Sequence, residues 1–257
     1  MTDALRAEWT KLRTLPGTGW LLLAAVICTV AVSAATAAAV RCPSGTCAED
    51  PAKISLTGIY LGQAVISIVA VLAISGEYDT GMIRVTLTAV PRRTVVLAAK
   101  AAVLAAVIGP AGAIAVGLSL LAGRLILPGH GIGPAHGYPA LSLADGPVLR
   151  AACGSVLYLM LIALLSLGVA TCARDSAAGI GIVLALLYLF PILGAVLGPN
   201  LARHIQQIGP MTAGLAVQAT VNLRALPIAP WPGLGVLAGW SAAALLAAAL
   251  LLGRRDA

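Results

Sequence analysis

Charged residues are scarce in this chain of 257 residues, and their scarcity excludes an ordinary soluble domain. Only 10% of the residues are Asp, Glu, Lys or Arg, while 60% are hydrophobic; soluble domains average about 25% charged and about 45–50% apolar residues. Aromatic residues make up only 4%, and no basic patch carries interleaved aromatics, so nucleic acid is not an expected partner. The net charge of +7 is explained by basic cytoplasmic flanks, which attract anionic lipid.

The motifs of an enzyme or an ion-driven carrier are also missing. Neither H-E-x-x-H nor the Walker A loop G-x-x-x-x-G-K-[ST] occurs in the sequence. The middle of every apolar run lacks ionisable residues, which weighs against proton relays and an intramembrane nucleophile with its base. His130, His136 and Asp145 resemble metal ligands, but solvated loop histidines are the more common interpretation. We therefore expect no catalytic residues, no metal and no cofactor.

Long apolar runs are what the sequence contains instead. A run of about 20 apolar residues spans a bilayer as a helix, and the runs do not alternate as barrel strands would. The sequence therefore predicts an all-α integral membrane protein, with residues 1–257 forming a single transmembrane domain. The predicted spans cover residues 20–40, 56–75, 101–121, 151–172, 177–197 and 234–252.

The distribution of Lys and Arg predicts the orientation of these six spans. An even number of spans places both termini on one side of the membrane. Ten of the 16 basic residues fall on the side that carries the termini, and the other six fall on the opposite side. We therefore expect both termini, and the loop between the second and third spans, to be cytoplasmic.

Residues 3–14, DALRAEWTKLRT, carry the pattern of an amphipathic helix. Leu5, Trp9 and Leu12 recur at positions i, i+4 and i+7, and basic residues flank them. Tryptophan is enriched where a membrane meets water. The pattern predicts that residues 1–16 include an interfacial helix anchored by these three side chains, with a plain basic flank as the alternative.

Two of the three segments on the predicted outer side carry further signals, cysteines in the first and amphipathic pieces in the third. Cys42 and Cys47 in RCPSGTCAEDPAK form a disulfide if that side is oxidising, and two free thiols are the alternative. Residues 199–233 are the longest outer segment and contain two amphipathic pieces, ARHIQQI and MTAGLAVQATVNL. These pieces are expected either to lie on the outer surface or to dip partway into the membrane.

The cytoplasmic segment 76–95, GEYDTGMIRVTLTAVPRRTV, concentrates charge in an apolar chain. Apolar residues at 83, 87 and 90 have helical spacing, and the polar residues 77, 80, 84 and 88 form a neighbouring stripe. This pattern predicts an amphipathic helix over 76–91 that ends before Pro91. Arg92, Arg93 and Lys100 need no role beyond fixing topology, whereas the acidic pair Glu77 and Asp79 needs a further reason because acids contribute little to topology.

The segment GEYDTGMIRVTLTAVPRR resembles the first cytoplasmic loop of ABC type-2 transporter permeases. In that family an acid, often followed by an aromatic, precedes a glycine, a hydrophobic-plus-arginine step and a proline with basic residues. The N-terminal EWTKLRT and the C-terminal GRRDA are similar to the same family. The few lysines beside many arginines resemble its actinobacterial members.

This resemblance implies the membrane subunit of an ATP-driven exporter in a bacterial plasma membrane. A cytoplasmic ABC ATPase subunit would dock on the 76–91 coupling helix through Glu77, Tyr78, Gly81 and Arg84. A second permease subunit, identical or not, would complete the pathway, and membrane lipid would surround it. A non-transporting scaffold or accessory subunit of a membrane complex is the alternative. Few polar residues lie within the predicted spans, which favours a lipidic or amphipathic cargo without identifying it.

The predicted orientation can be tested at Tyr78. A cysteine introduced beside this residue should react with a membrane-permeant thiol reagent and stay protected from an impermeant one in intact cells, because its loop faces the cytoplasm. Reaction with the impermeant reagent in intact cells would place the loop outside and reverse the topology.

Overall fold

Six long apolar helices dominate the computed structural model, which describes residues 2–14, 16–42, 49–79, 81–82, 93–134, 137–138, 141–196 and 199–254. All six are long and apolar enough to cross a membrane, which confirms a multi-pass helical membrane protein. No strand occurs in the described residues. In chain order, the helices of the first to sixth spans are Pro16–Ala39, Ile59–Asp79, Arg93–Ile126, Gly146–Ala173, Ser176–Val196 and Pro230–Arg254.

Most of these helices extend beyond the apolar runs that predict them. The third helix begins at Arg93 rather than at residue 101, and a 3-10 turn at Leu127–His130 follows it. Pro110 and Pro191 lie inside the third and fifth helices. Helix formation depends on backbone hydrogen bonds, which continue into polar flanks, so hydropathy alone underestimates helix length.

The second and fourth spans form the centre of the bundle. The fourth span packs against the second, third, fifth and sixth spans, and the first span packs against the second and third. Tyr158 of the fourth span is completely buried, and its hydroxyl donates a hydrogen bond to Gln63 of the second. Gln63 donates in turn to the sulfur of Met211, 3.1 Å away. These bonds satisfy polar groups that would be costly to bury alone.

Short helices cover the end of the bundle opposite the N-terminus. They are Pro51–Ser55, Pro199–Ile208 and Pro210–Gly214, followed by 3-10 turns at Leu215–Gln218 and Leu223–Ala225. Residues 210–219 are mostly buried against the fourth and sixth spans, whereas the side chains of residues 201–208 are exposed or only partly buried. The two amphipathic pieces of segment 199–233 therefore differ: the second dips into the bundle and the first does not.

Asp50 fastens this cover to the first loop. Its side chain caps the helix Pro51–Ser55 by accepting from the backbone N–H groups of Ala52 and Lys53. The same carboxylate accepts from the backbone N–H groups of Thr220 and Val221. One side chain thus joins two segments 170 residues apart in sequence.

Glycine permits close helix packing at one central contact. A Cβ at Gly168 of the fourth span would lie 2.7 Å from the backbone carbon of Ala244 in the sixth. Gly239 of the sixth span has nothing within 4 Å of such a Cβ. The fourth and sixth helices therefore approach closely only because position 168 lacks a side chain.

Gly168→Ala should consequently lower the free energy of unfolding by about 1–3 kcal/mol, because the new methyl group would push backbone apart in a packed interior. Thermal unfolding of the purified protein in detergent measures the effect. Gly239→Ala is the matched control and should leave stability unchanged or slightly higher. Equal melting temperatures for the two variants would contradict the packing argument.

Candidate functional site

Four charged side chains meet at the N-terminal end of the bundle. Glu8 and Lys11 come from the N-terminal helix Thr2–Thr14, Glu77 from the last turns of the second span and Lys100 from the third. Glu77 Oε1 accepts hydrogen bonds from Lys11 Nζ and Lys100 Nζ, both at 2.9 Å. We call these four residues the ion cluster.

Glu8 closes the ion cluster from the other side. Its Oε2 lies 2.6 Å from Lys100 Nζ, and its Oε1 lies 3.0 Å from Lys11 Nζ. Lys100 Nζ also donates to the carbonyl oxygen of Ala73, 3.0 Å away. Each carboxylate thus contacts both ammonium groups, and two negative charges balance two positive ones.

The ion cluster is largely removed from solvent. The side chains of Glu8, Glu77 and Lys100 are 5%, 7% and 5% exposed, whereas Lys11 is 27% exposed. A buried charge is strongly unfavourable unless it is paired and hydrogen-bonded. The four charges therefore depend on one another for burial. Replacing any one of them by a neutral residue leaves an excess of the opposite charge in the buried cluster.

Lys11 lies outside the spans, and its environment stabilises its charged form. Burial tends to lower its pKa, but the hydrogen bonds and negative charges of Glu77 and Glu8 outweigh burial and raise the pKa above its ordinary value of 10.5. A raised lysine pKa means that the charged form stabilises the fold at neutral pH and loses this effect only as the pH rises through the raised pKa. Lys11 therefore holds its ion pairs throughout the physiological range.

Two members of the ion cluster correct the interpretation of the sequence. Lys100 was predicted to do no more than fix topology, but it is buried in the third helix and bonded to two carboxylates. Glu8 was not singled out because only the apolar stripe of its helix was considered. The sequence did carry a signal for Glu8. It is an acid in a basic N-terminal flank, and because acids contribute little to topology, its presence indicates another role.

The end of the second span also contacts the turn between the fourth and fifth spans. The guanidinium carbon of Arg174 lies 5.7 Å from the ring centre of Tyr78, within the range of a cation–π interaction. Ser176 Oγ lies 2.8 Å from Ser75 Oγ. Three residues close in sequence, Ser75, Glu77 and Tyr78, thus connect the second span to the N-terminal helix and to the third and fifth spans.

The first four residues of the predicted coupling helix 76–91 belong to the second span. The helix of that span ends at Asp79, and Gly81 adopts a left-handed backbone with φ of 70°; residues 83–91 lie outside the described residues. Gly81 is exposed, and Met82 is 44% exposed. Arg84 lies outside the described residues. Glu77 is buried in the ion cluster, and a contact of these residues with an ATPase stays a prediction.

The N-terminal helix exists as predicted, and its placement at a membrane interface stays a prediction. Glu8 is its buried residue, Leu5 is partly buried and Trp9 is 49% exposed. The side chain of Leu12 lies outside the described residues. The helix therefore turns its charged side to the protein and leaves Trp9 on the outer surface.

Cys42 lies at the opposite end of the bundle. Cys42 is buried, with its sulfur 3.4 Å from the Tyr138 hydroxyl oxygen. Cys47 lies outside the described residues, so the predicted bridge stays a prediction. Among the described residues, no three His, Cys, Asp or Glu side chains gather as metal ligands would.

A cavity of about 570 Å³ adjoins the ion cluster. Charged side chains form one end of it, and apolar side chains of the first, second and third spans form its walls. The lining residues are Glu8, Lys11, Gly17, Thr18, Leu21, Val69, Leu72, Ala73, Gly76, Glu77, Met82, Lys100 and Leu104. An amphipathic molecule matches such a division of polar and apolar surface.

Lys100→Met should destabilise the protein strongly, because it leaves Glu8 and Glu77 buried with one cation between them. Breaking a buried pair in this way costs about 3–5 kcal/mol. Lys53→Met is the control, since it removes an exposed lysine at the other end of the bundle. Thermal unfolding in detergent should separate the two variants clearly, and similar melting temperatures would show that the ion cluster does not stabilise the fold.

No protein-family model matches the chain, and no curated protein matches it in sequence. The resemblance to permeases therefore rests on the short segments quoted above, and the properties of the ion cluster rest on its own atoms.

Proposed function

We propose that this protein is the permease subunit of an ATP-driven exporter, and that a separate ATPase subunit drives it by docking on the segment 76–91. One observation carries the proposal: the last turns of the second span are bonded to three neighbouring elements immediately before the exposed residues Gly81 and Met82, with which the loop to the third span begins. Glu77 bonds to Lys11 and Lys100, and Tyr78 stacks on Arg174. A force applied to that loop would act on several helices at once.

The solvent exposure of each residue indicates its part in the proposed coupling. Gly81 and Met82 are exposed directly after the second span, and we expect the partner to contact this stretch; Arg84, also expected to contact the partner, lies outside the described residues. Glu77 is buried, and its role is to transmit movement rather than to form the outer surface of the contact. Gly81 adopts the left-handed backbone conformation that follows the end of the second span at Asp79.

The mechanism is a switch between two packings of the bundle. ATP binding closes the ATPase subunits and displaces the docked segment. The second span moves with it, and the ion cluster draws the N-terminal helix and the third span along, because separating the buried charges is costly. Nucleotide binding thereby shifts the equilibrium between two states of the pathway. A second permease subunit completes that pathway.

Retention of the ATPase tests the proposal. A tagged copy of the chain, purified from membranes of its own host, should bring down a protein with a Walker A loop. Met82→Glu and Arg84→Glu should each reduce the amount retained by about tenfold or more, the effect of losing one important interface contact.

Leu143→Glu is the matched control, because Leu143 is 53% exposed but lies in the loop at the opposite end of the bundle. It should retain the ATPase as the unsubstituted chain does. Recovery of other membrane proteins without any ATPase would favour the scaffold or accessory subunit instead. Equal retention by all three variants would remove segment 76–91 from the contact.

A further inference from the structure

A second cavity lies at the end of the bundle opposite the ion cluster. Its volume is about 190 Å³, and its walls include the last turn of the third helix, the 3-10 turn that follows and the first residue of the helix Pro51–Ser55. Among the described residues that line it, Arg124 is the one that carries a charge, and apolar side chains, prolines and glycines form the remaining walls. We call this cavity the arginine pocket.

The charge of Arg124 is not balanced within the described part of the chain. Its side chain is exposed, and the ion pairs of the described residues all belong to the ion cluster. Asp50 precedes the lining residue Pro51, but its two oxygens already accept from backbone N–H groups of residues 52, 53, 220 and 221. The guanidinium donors of Arg124 are therefore available to an anion in the pocket.

The third helix places Arg124 at the level of lipid head groups. Lys100, in the ion cluster, and Arg124 are 24 residues apart on this helix, which is about 36 Å at a rise of 1.5 Å per residue. The hydrocarbon core of a bilayer is about 30 Å thick, and its head groups extend the thickness to about 40–45 Å. Counted from the ion cluster at one boundary, Arg124 thus lies just beyond the other, where phosphate groups are found.

An apolar stripe on the third helix leads from the pocket into the bilayer. Ile114, Leu118, Leu121 and Leu125 follow one another at helical spacing, and between 44% and 72% of each residue is exposed. Arg124 lies one turn from Leu121 on the same side of the helix. The pocket is smaller than the range of about 300–1,000 Å³ that small-molecule sites occupy, so it has room for a polar head group, while acyl chains stay outside on the stripe.

We propose that the arginine pocket binds the head group of an anionic phospholipid such as phosphatidylglycerol. The phosphate accepts hydrogen bonds from Arg124, the glycerol enters the pocket, and one acyl chain lies along the stripe from Leu125 to Ile114. An anionic head group is favoured because the pocket supplies one cation, whereas a zwitterionic head group adds an ammonium group that this cation repels. The proposal does not depend on the chain being a permease, because it follows from the charge, level and surroundings of Arg124.

The experiment compares two phospholipids that differ in the charge of the head group. The full chain, purified in detergent and stripped of lipid, is titrated with phosphatidylglycerol or with phosphatidylethanolamine of identical acyl chains, and bound lipid is counted by native mass spectrometry. Phosphatidylglycerol should be held about fivefold more tightly, the effect of one basic residue on an anionic lipid. Basic residues elsewhere also attract anionic lipid, so differences between variants identify the site.

Four variants locate the bound lipid. Arg124→Gln should remove one tightly held phosphatidylglycerol, and Arg124→Lys should keep it because the charge remains. Pro134→Trp leaves Arg124 in place but adds a ring at the exposed rim of the pocket, and it should also remove one lipid. Arg203→Gln is the matched control, since it neutralises an exposed arginine at the same end of the bundle that does not line the pocket. Melting temperatures without lipid confirm that each variant is folded.

Three results would overturn the proposal. Equal affinity for the two lipids would show that the pocket does not select a head group by charge. Loss of one lipid from Arg203→Gln as well as from Arg124→Gln would mean that anionic lipid responds to the overall charge of this end. Full retention by Pro134→Trp would show that Arg124 attracts lipid as a surface charge and that the pocket takes no part.

Discussion

Mutual neutralisation of Glu8, Lys11, Glu77 and Lys100 is the interaction on which the N-terminal end of the structure depends. Each charge is buried only because opposite charges lie within 3 Å of it. The cluster fixes the N-terminal helix against the second and third spans, and a cavity adjoins it. The anchoring of the N-terminal helix and the lining of the cavity therefore share one set of side chains.

The opposite end of the bundle is held by different chemistry. Neutral and backbone groups predominate there, with Asp50 accepting from two distant segments and a buried cover packed against the fourth and sixth spans. Between the two ends, the helices pack through apolar side chains and through glycines such as Gly168. The two ends of the bundle are thus held by different interactions: buried cover and backbone hydrogen bonds at one end, a charge network at the other.

Hydropathy predicted the number and type of the main elements correctly because bilayer thickness dictates a minimum apolar length. Helix ends were less predictable: the third helix starts eight residues earlier than its apolar run, since backbone hydrogen bonding continues through polar residues such as Lys100. The first four residues of the helix predicted over 76–91 instead form the end of the second span, because a local periodicity does not reveal how far the preceding helix continues or which side chains it already pairs.

The sequence by itself determined that the chain is a six-span helical membrane protein. A lipid bilayer requires long apolar helices, and this requirement is visible in the composition and in the lengths of the apolar runs. It also singled out the acidic pair Glu77 and Asp79 as needing a reason beyond topology. Only the tertiary structure decided that the partners of Glu77 are Lys11 and Lys100, that Glu8 joins them, and that a cavity adjoins the group. Charge pairing depends on distances between residues up to 92 positions apart, and no local pattern records those distances.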